Sequence, residues 1–134
     1  MRTPRRTPLR PRRPPSRSTE GIYGGHWMRS QLEIAFARQL DARGIAWEYE
    51  TERLQGGRYL VDFHLPALRC WVEVKGRLEA RDRLLLPLVA AHLDGQRGER
   101  LFVYMRARAF RVTWRGFAPL TLAEFWQALE ESEE

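Results

Sequence analysis

RCWVEVKG, residues 69–76, reads as a β-strand in which two opposite charges, Glu73 and Lys75, interrupt an apolar run. Period-two geometry sends Trp71, Glu73 and Lys75 to one face and Val72 and Val74 to the other. The preceding stretch, RYLVDFHLP over 58–66, is a second strand. It places Leu60, Asp62 and His64 on one face, with Val61 and Phe63 opposite. The short link at 66–69 makes the pair an antiparallel hairpin, so Asp62, Glu73 and Lys75 are expected to converge.

Such convergence needs compensation. Two carboxylates in an apolar sheet repel each other and lose hydration. A hard divalent cation is a natural remedy, and Mg²⁺ is commonly held by one or two carboxylates plus waters and a substrate phosphate. The plain alternative is a Glu–Lys pair on a solvated sheet face. Two observations weigh against it. Asp62 lies between Val61 and Phe63, and Lys75 is the single lysine among 23 Lys+Arg. A compact ammonium does chemistry that the planar arginine fork does not.

The rest of the chain supplies a layered frame. Residues 27–43 carry helical spacing and stop at Gly44, and 45–50 (IAWEYE) alternate as a strand. Gln55, Gly56 and Gly57 form a turn. Residues 77–95 are helical but contain Pro87, which either kinks the helix or opens a second helical piece. ERLFVYM, 99–105, suits a doubly covered central strand, and AFRVTW, 109–114, an edge strand. Thr121 and Glu124 form a capping box for a terminal helix. The order α-β-β-β-α-β-β-α predicts an α/β domain, a mixed sheet of four to five strands flanked by helices.

Residues 1–20 hold seven Arg, five Pro and one acid, while residues 21–134 balance in charge. The expected division is a disordered basic tail over 1–22 and a folded domain over 23–134. An arginine-rich arm suits phosphate backbones, with a solvated extension as the alternative. Arg77, Arg81 and Arg83 follow the charged strand and are candidates for the same contact. The one cysteine, Cys70, excludes an internal disulfide, which predicts a reducing, cytoplasmic setting. No apolar run approaches the ~20 residues of a membrane span. His64 is expected to be a satisfied polar side chain near the hairpin, and Trp27, Phe36, Trp114, Phe125 and Trp126 to serve the core or a dimer contact.

Asp62, ten intervening residues and then Glu73-Val74-Lys75-Gly76 resembles the PD-(D/E)XK nuclease signature, with Val61 in place of its proline. Glu33, in MRSQLEIAF, matches the acidic residue that family carries on the preceding helix. Residues 26–130 are most similar to phage endonuclease I-type Holliday junction resolvases. Very-short-patch-repair nucleases share the VDF and the paired strands. The resemblance implies a restriction-endonuclease-like core and a Mg²⁺- or Mn²⁺-dependent endodeoxyribonuclease acting on branched DNA as a homodimer, in a bacterial or phage-infected cell. It implies Glu33, Asp62, Glu73 and Lys75 as catalytic residues. Asp62, Glu73 and the Val74 carbonyl would ligate the metal, with Glu33 a further candidate. The alternatives are a mismatch-repair, restriction or transposon-type nicking enzyme, and an inactive nucleic-acid-binding module.

Overall fold

The computed structural model describes residues 20–131. Most of the expected basic tail therefore lies outside the described residues, but its last two positions do not belong to a tail. Gly21 and Ile22 are in β1 (Gly21–Tyr23), which pairs antiparallel with β2 (His26–Met28). Gly24 and Gly25 turn this hairpin with φ of +60° and +81°, a conformation that suits glycine. A Cβ at Gly24 would also lie 3.1 Å from the Trp47 ring, a tight contact to which the ring would have to yield by a few tenths of an ångström.

α1 (Gln31–Ala42) starts later than helical spacing suggests, because Ser30 caps it: its hydroxyl accepts the Glu33 N–H at 3.1 Å. Gly44 ends it as expected, in a Schellman arrangement with Ile45 N–H on the Leu40 carbonyl and Gly44 N–H on that of Asp41. Short strands β3 (Glu48–Tyr49), β4 (Arg53–Leu54), β5 (Tyr59–Leu60) and β6 (Phe63–Leu65) follow, with β4 and β5 forming their own ribbon. A 3₁₀ turn, Pro66–Leu68, leads into β7 (Cys70–Val74), and the β6–β7 hairpin is antiparallel as the sequence predicts.

α2 (Ala80–Arg97) is one helix running through Pro87, neither split nor ended at Gly95; Gly98, at φ +64°, closes it. It crosses over to β8 (Arg100–Tyr104), which pairs parallel with β7. β9 (Ala109–Thr113) and β10 (Gly116–Leu120) complete the sheet, and α3 (Leu122–Glu130) carries the expected capping box. The main sheet therefore has six strands, in the order β10-β9-β8-β7-β6-β3, not four to five. The edge position expected for 109–114 belongs to β10, whose Pro119 suits an edge because it removes a ladder donor. None of the described helices is long and apolar enough to cross a membrane.

Two apolar layers sandwich the sheet. Phe63, Val72 and Phe102 meet Phe36 and Leu40 of α1 and Phe125 and Leu129 of α3. Trp71, Leu101, Val103 and Val112 meet Leu86, Val89 and Leu93 of α2. All five residues of β7 and of β8 are buried, as strands covered on both faces should be.

One expected alternation breaks. Val61 joins the α2-side core, whereas Phe63 joins the opposite one, so they do not share a face. The chain bends at Asp62 because side chains replace the ladder there. The Asp62 N–H donates to Glu73 Oε1 at 3.1 Å, and the Val74 N–H donates to Asp62 Oδ2 at 2.8 Å.

Candidate active site

That bend builds the site, at the C-terminal end of β7. Asp62 is 2% exposed and Glu73 4% exposed, and each uses one carboxylate oxygen to bond the other strand's backbone. The predicted juxtaposition of Asp62, Glu73 and Lys75 is therefore present, although a local bend rather than regular alternation produces it. Lys75 Nζ lies 3.3 Å from Glu73 Oε2 and 3.2 Å from Asp82 Oδ1. Tyr59 completes this half. Its hydroxyl is 2.7 Å from Asp82 Oδ1 and 3.1 Å from Glu73 Oε2.

On the other side of Asp62 stands a second group. Glu33 is buried, and its Oε1 accepts the Tyr49 hydroxyl at 2.6 Å and the Arg29 backbone N–H at 3.1 Å. The Arg29 guanidinium pairs with Glu50 and lies 3.4 Å from Asp62 Oδ1. The Glu50 N–H donates to the Asp62 carbonyl at 2.8 Å. Asp62 is thus the joint between the two groups. Glu33 acts on it through charge and through Arg29, whose backbone N–H bonds Glu33 while its guanidinium approaches Asp62.

The electrostatics follow from burial. Desolvation, reinforced by the Glu73 and Glu33 charges, holds the Asp62 carboxyl well above the usual carboxylate range; Arg29 and the Val74 N–H oppose this. Burial likewise pushes Glu73 up to about 7, against the pull of Lys75, the Asp62 N–H and the Tyr59 hydroxyl. Burial disfavours the Lys75 ammonium, but the carboxylates of Glu73, Asp82 and Asp62 together outweigh it and raise its pKa. Asp82 moves the other way. Burial alone would raise it, but the Glu79 N–H, the Tyr59 hydroxyl and Lys75 hold it below its ordinary value.

Comparisons with protein-family models, curated proteins and solved structures return no match.

The donor chemistry of Asp62, Glu73 and the Val74 carbonyl, all hard oxygen, suits Mg²⁺ or Mn²⁺. Around them, Glu33, Glu50, Asp62, Glu73 and Asp82 surround two cations, Arg29 and Lys75, and this excess of carboxyls favours a further positive charge. In the arrangement described, however, no three His, Cys, Asp or Glu side chains among the described residues converge as a ligand group. Arg29 and Lys75 stand between the carboxylates instead. Ligation through Asp62 Oδ1 requires the Arg29 guanidinium to give way.

The flanking candidates fare differently. Arg77 is exposed and bonds Glu79 through Nε at 3.0 Å, and Arg83 is exposed. Arg81 donates to the Arg58 carbonyl at 2.6 Å and lies over the Tyr59 ring, so it tethers the segment that presents Tyr59. His64 lies outside the acid cluster, stacks on Trp71 at 4.1 Å and bonds Glu48 through Nδ1 at 2.9 Å. Its buried Nε2 has no hydrogen-bond partner among the described residues, with Glu99 Oε2 3.6 Å away, so the side chain expected to be satisfied is so at one nitrogen only. Phe36, Phe125 and Trp126 are core residues, Trp27 is half-buried on β2, and Trp114 is 66% exposed.

Sequence reasoning missed Arg29, Tyr49, Glu50, Tyr59 and Asp82. Two of these left a trace. Glu79 and Asp82 have capping-box spacing at the start of α2, and Arg29 immediately precedes the Ser30 cap of the helix that carries Glu33. Both are signals of helix starts, and neither marks a residue as chemical.

Proposed function

We propose that this chain is a metal-dependent endodeoxyribonuclease of the PD-(D/E)XK type, cutting phosphodiester bonds in branched DNA as a homodimer in the cytoplasm. The observation that carries the reading is the joining of Asp62, Glu73 and Lys75 at the end of one buried strand, in the order and spacing of that signature. Asp62, Glu73 and the Val74 carbonyl would hold Mg²⁺ or Mn²⁺, with Glu33 adding negative charge from α1. An ion held there would supply a water of lowered pKa and polarisation of the scissile phosphate. The Lys75 ammonium orients the attacking water and offsets charge developing on the phosphoryl oxygens. Asp62 and Glu73 keep their geometry through the two backbone bonds that tie each to the neighbouring strand. Exposed Arg77 and Arg83 meet the phosphate backbone beside the site, and Arg81 supports them from the start of α2.

The test is incubation with four-way junction, nicked, mismatched and linear duplex DNA, with Mg²⁺ or with EDTA. Cleavage of the junction in Mg²⁺ alone is expected, and Lys75→Ala and Asp62→Asn should abolish it while leaving DNA binding within about twofold. Undiminished cleavage by Lys75→Ala sinks the mechanism. Equal cutting of all four substrates removes the junction preference and keeps the chemistry. The placement of the Arg29 guanidinium at Asp62, where a metal would bind, favours one competing reading, an inactive nucleic-acid-binding module, which predicts DNA binding with no cleavage under any condition.

A further inference from the structure

The ammonium of Lys75 and the hydroxyl of Tyr59 touch the same two oxygens. Nζ lies 3.3 Å from Glu73 Oε2 and 3.2 Å from Asp82 Oδ1; the hydroxyl lies 3.1 Å and 2.7 Å from them. The four atoms close a ring whose members come from β7 and the residue that follows it, from β5 and from the first turn of α2. Both carboxylate corners are anchored elsewhere. Glu73 Oε1 accepts the Asp62 N–H, and Asp82 Oδ2 accepts the Glu79 N–H at 2.8 Å. Tyr59 and Asp82 are 3% and 4% exposed, so solvent does not loosen the ring from behind.

An ammonium has three donors. Glu73 and Asp82 take two, and the Lys75 side chain is 28% exposed, so the third donor is left to face the open side of the site. A planar guanidinium on a longer stem cannot place one donor on each of two such oxygens and a third outward from the same atom. This gives a physical reason for the chain's single lysine at this position.

We infer that Asp82 and Tyr59 are positioning residues that clamp the Lys75 ammonium and aim its free donor at the reacting phosphate. The role in cleavage rests on the nuclease reading above, whereas the clamp itself does not.

Because the chain has one lysine, protein labelled with ¹⁵N,¹³C-lysine reports Lys75 alone. In metal-free protein with EDTA, a slowly exchanging ¹⁵Nζ ammonium signal and an ordered Cε methylene are expected. Asp82→Asn and Tyr59→Phe should broaden or abolish that signal, while backbone amide spectra stay folded. Asp82→Glu should restore it in part. Tyr59→Phe leaves the α2 cap intact and decides the matter if Asp82→Asn unfolds. With junction DNA and Mg²⁺, Asp82→Asn should lower kcat by about 10- to 100-fold with KM nearly unchanged, the scale of a misplaced reacting group. An unchanged Lys75 signal in both variants overturns the clamp, and a changed signal with unchanged kcat overturns its role in positioning. A changed signal in a wild-type protein that cleaves nothing supports the clamp and rejects the nuclease reading.

Discussion

Replacing Glu73 by Gln should stabilise the metal-free protein, and the gain should grow with pH. Burial carries the Glu73 carboxyl from 4.5 to about 7 in the folded chain, so ionising it there costs about 3 kcal/mol more than in the unfolded chain. That figure already includes the attraction of Lys75, because about 7 is what remains after Lys75, the Asp62 N–H and the Tyr59 hydroxyl have pulled the carboxyl down. The sign follows from proton binding. Between pH 4.5 and about 7 the folded state holds the Glu73 proton more tightly than the unfolded state, so stability falls as pH rises through this window and levels off above it. Gln keeps an acceptor for the Asp62 N–H and carries no charge. Urea unfolding in EDTA, at steps from pH 4.5 to 8, should show wild type and Glu73→Gln within about 0.5 kcal/mol at the acid end. At pH 8 the variant should lead by about 2–3 kcal/mol. Groups remote from Glu73 cancel in the difference; Asp62, which the Glu73 charge raises, does not, and its relief in the Gln variant adds to the gain with the same sign. A difference that stays flat with pH, or that turns against Gln as pH rises, would refute the claim that this carboxyl is buried and short of positive charge.

Arg100 is buried and donates to the carbonyls of Ala128, Leu129 and Leu68 at 2.7, 3.2 and 3.1 Å, tying the end of α3 to the sheet. Arg100→Met strands those acceptors and should cost about 2–4 kcal/mol in urea unfolding, with faster amide exchange in α3. Pro87 sits inside α2 without a backbone donor, so Pro87→Ala should stabilise the protein by about 1–3 kcal/mol, read from the same unfolding curves. A loss on that substitution would show that the proline ring packs better than its backbone costs.

Much of the frame was legible because it rests on local rules. The β6–β7 hairpin, the Gly44 stop and the Thr121–Glu124 cap each follow from a few neighbouring residues. The central β8 was readable from an unbroken apolar run. What escaped depended on partners distant in sequence. β10 contains Pro119 and little alternation, and only its pairing with β9 makes it a strand. Pro87 marks a break by its own chemistry, yet the leucines and valine that α2 buries on the sheet hold the helix through it. In the site, spacing correctly joined Asp62, Glu73 and Lys75. The bend at Asp62 was invisible, since it comes from two side-chain-to-backbone bonds across the hairpin. Asp82 and Tyr59 were invisible for a similar reason. They meet Lys75 only after α2 docks on the sheet, and nothing in their own segments distinguishes them from a helix cap and a core tyrosine.

The central claim of the proposed function is that Asp62 and Glu73 bind a divalent cation. Isothermal calorimetry of Mn²⁺ into metal-free wild type and Asp62→Asn, at pH 8, tests it most directly. Saturable binding by wild type, weakened at least about tenfold by Asp62→Asn, is the expected result. Identical heats from the two proteins, or none from either, would contradict the account.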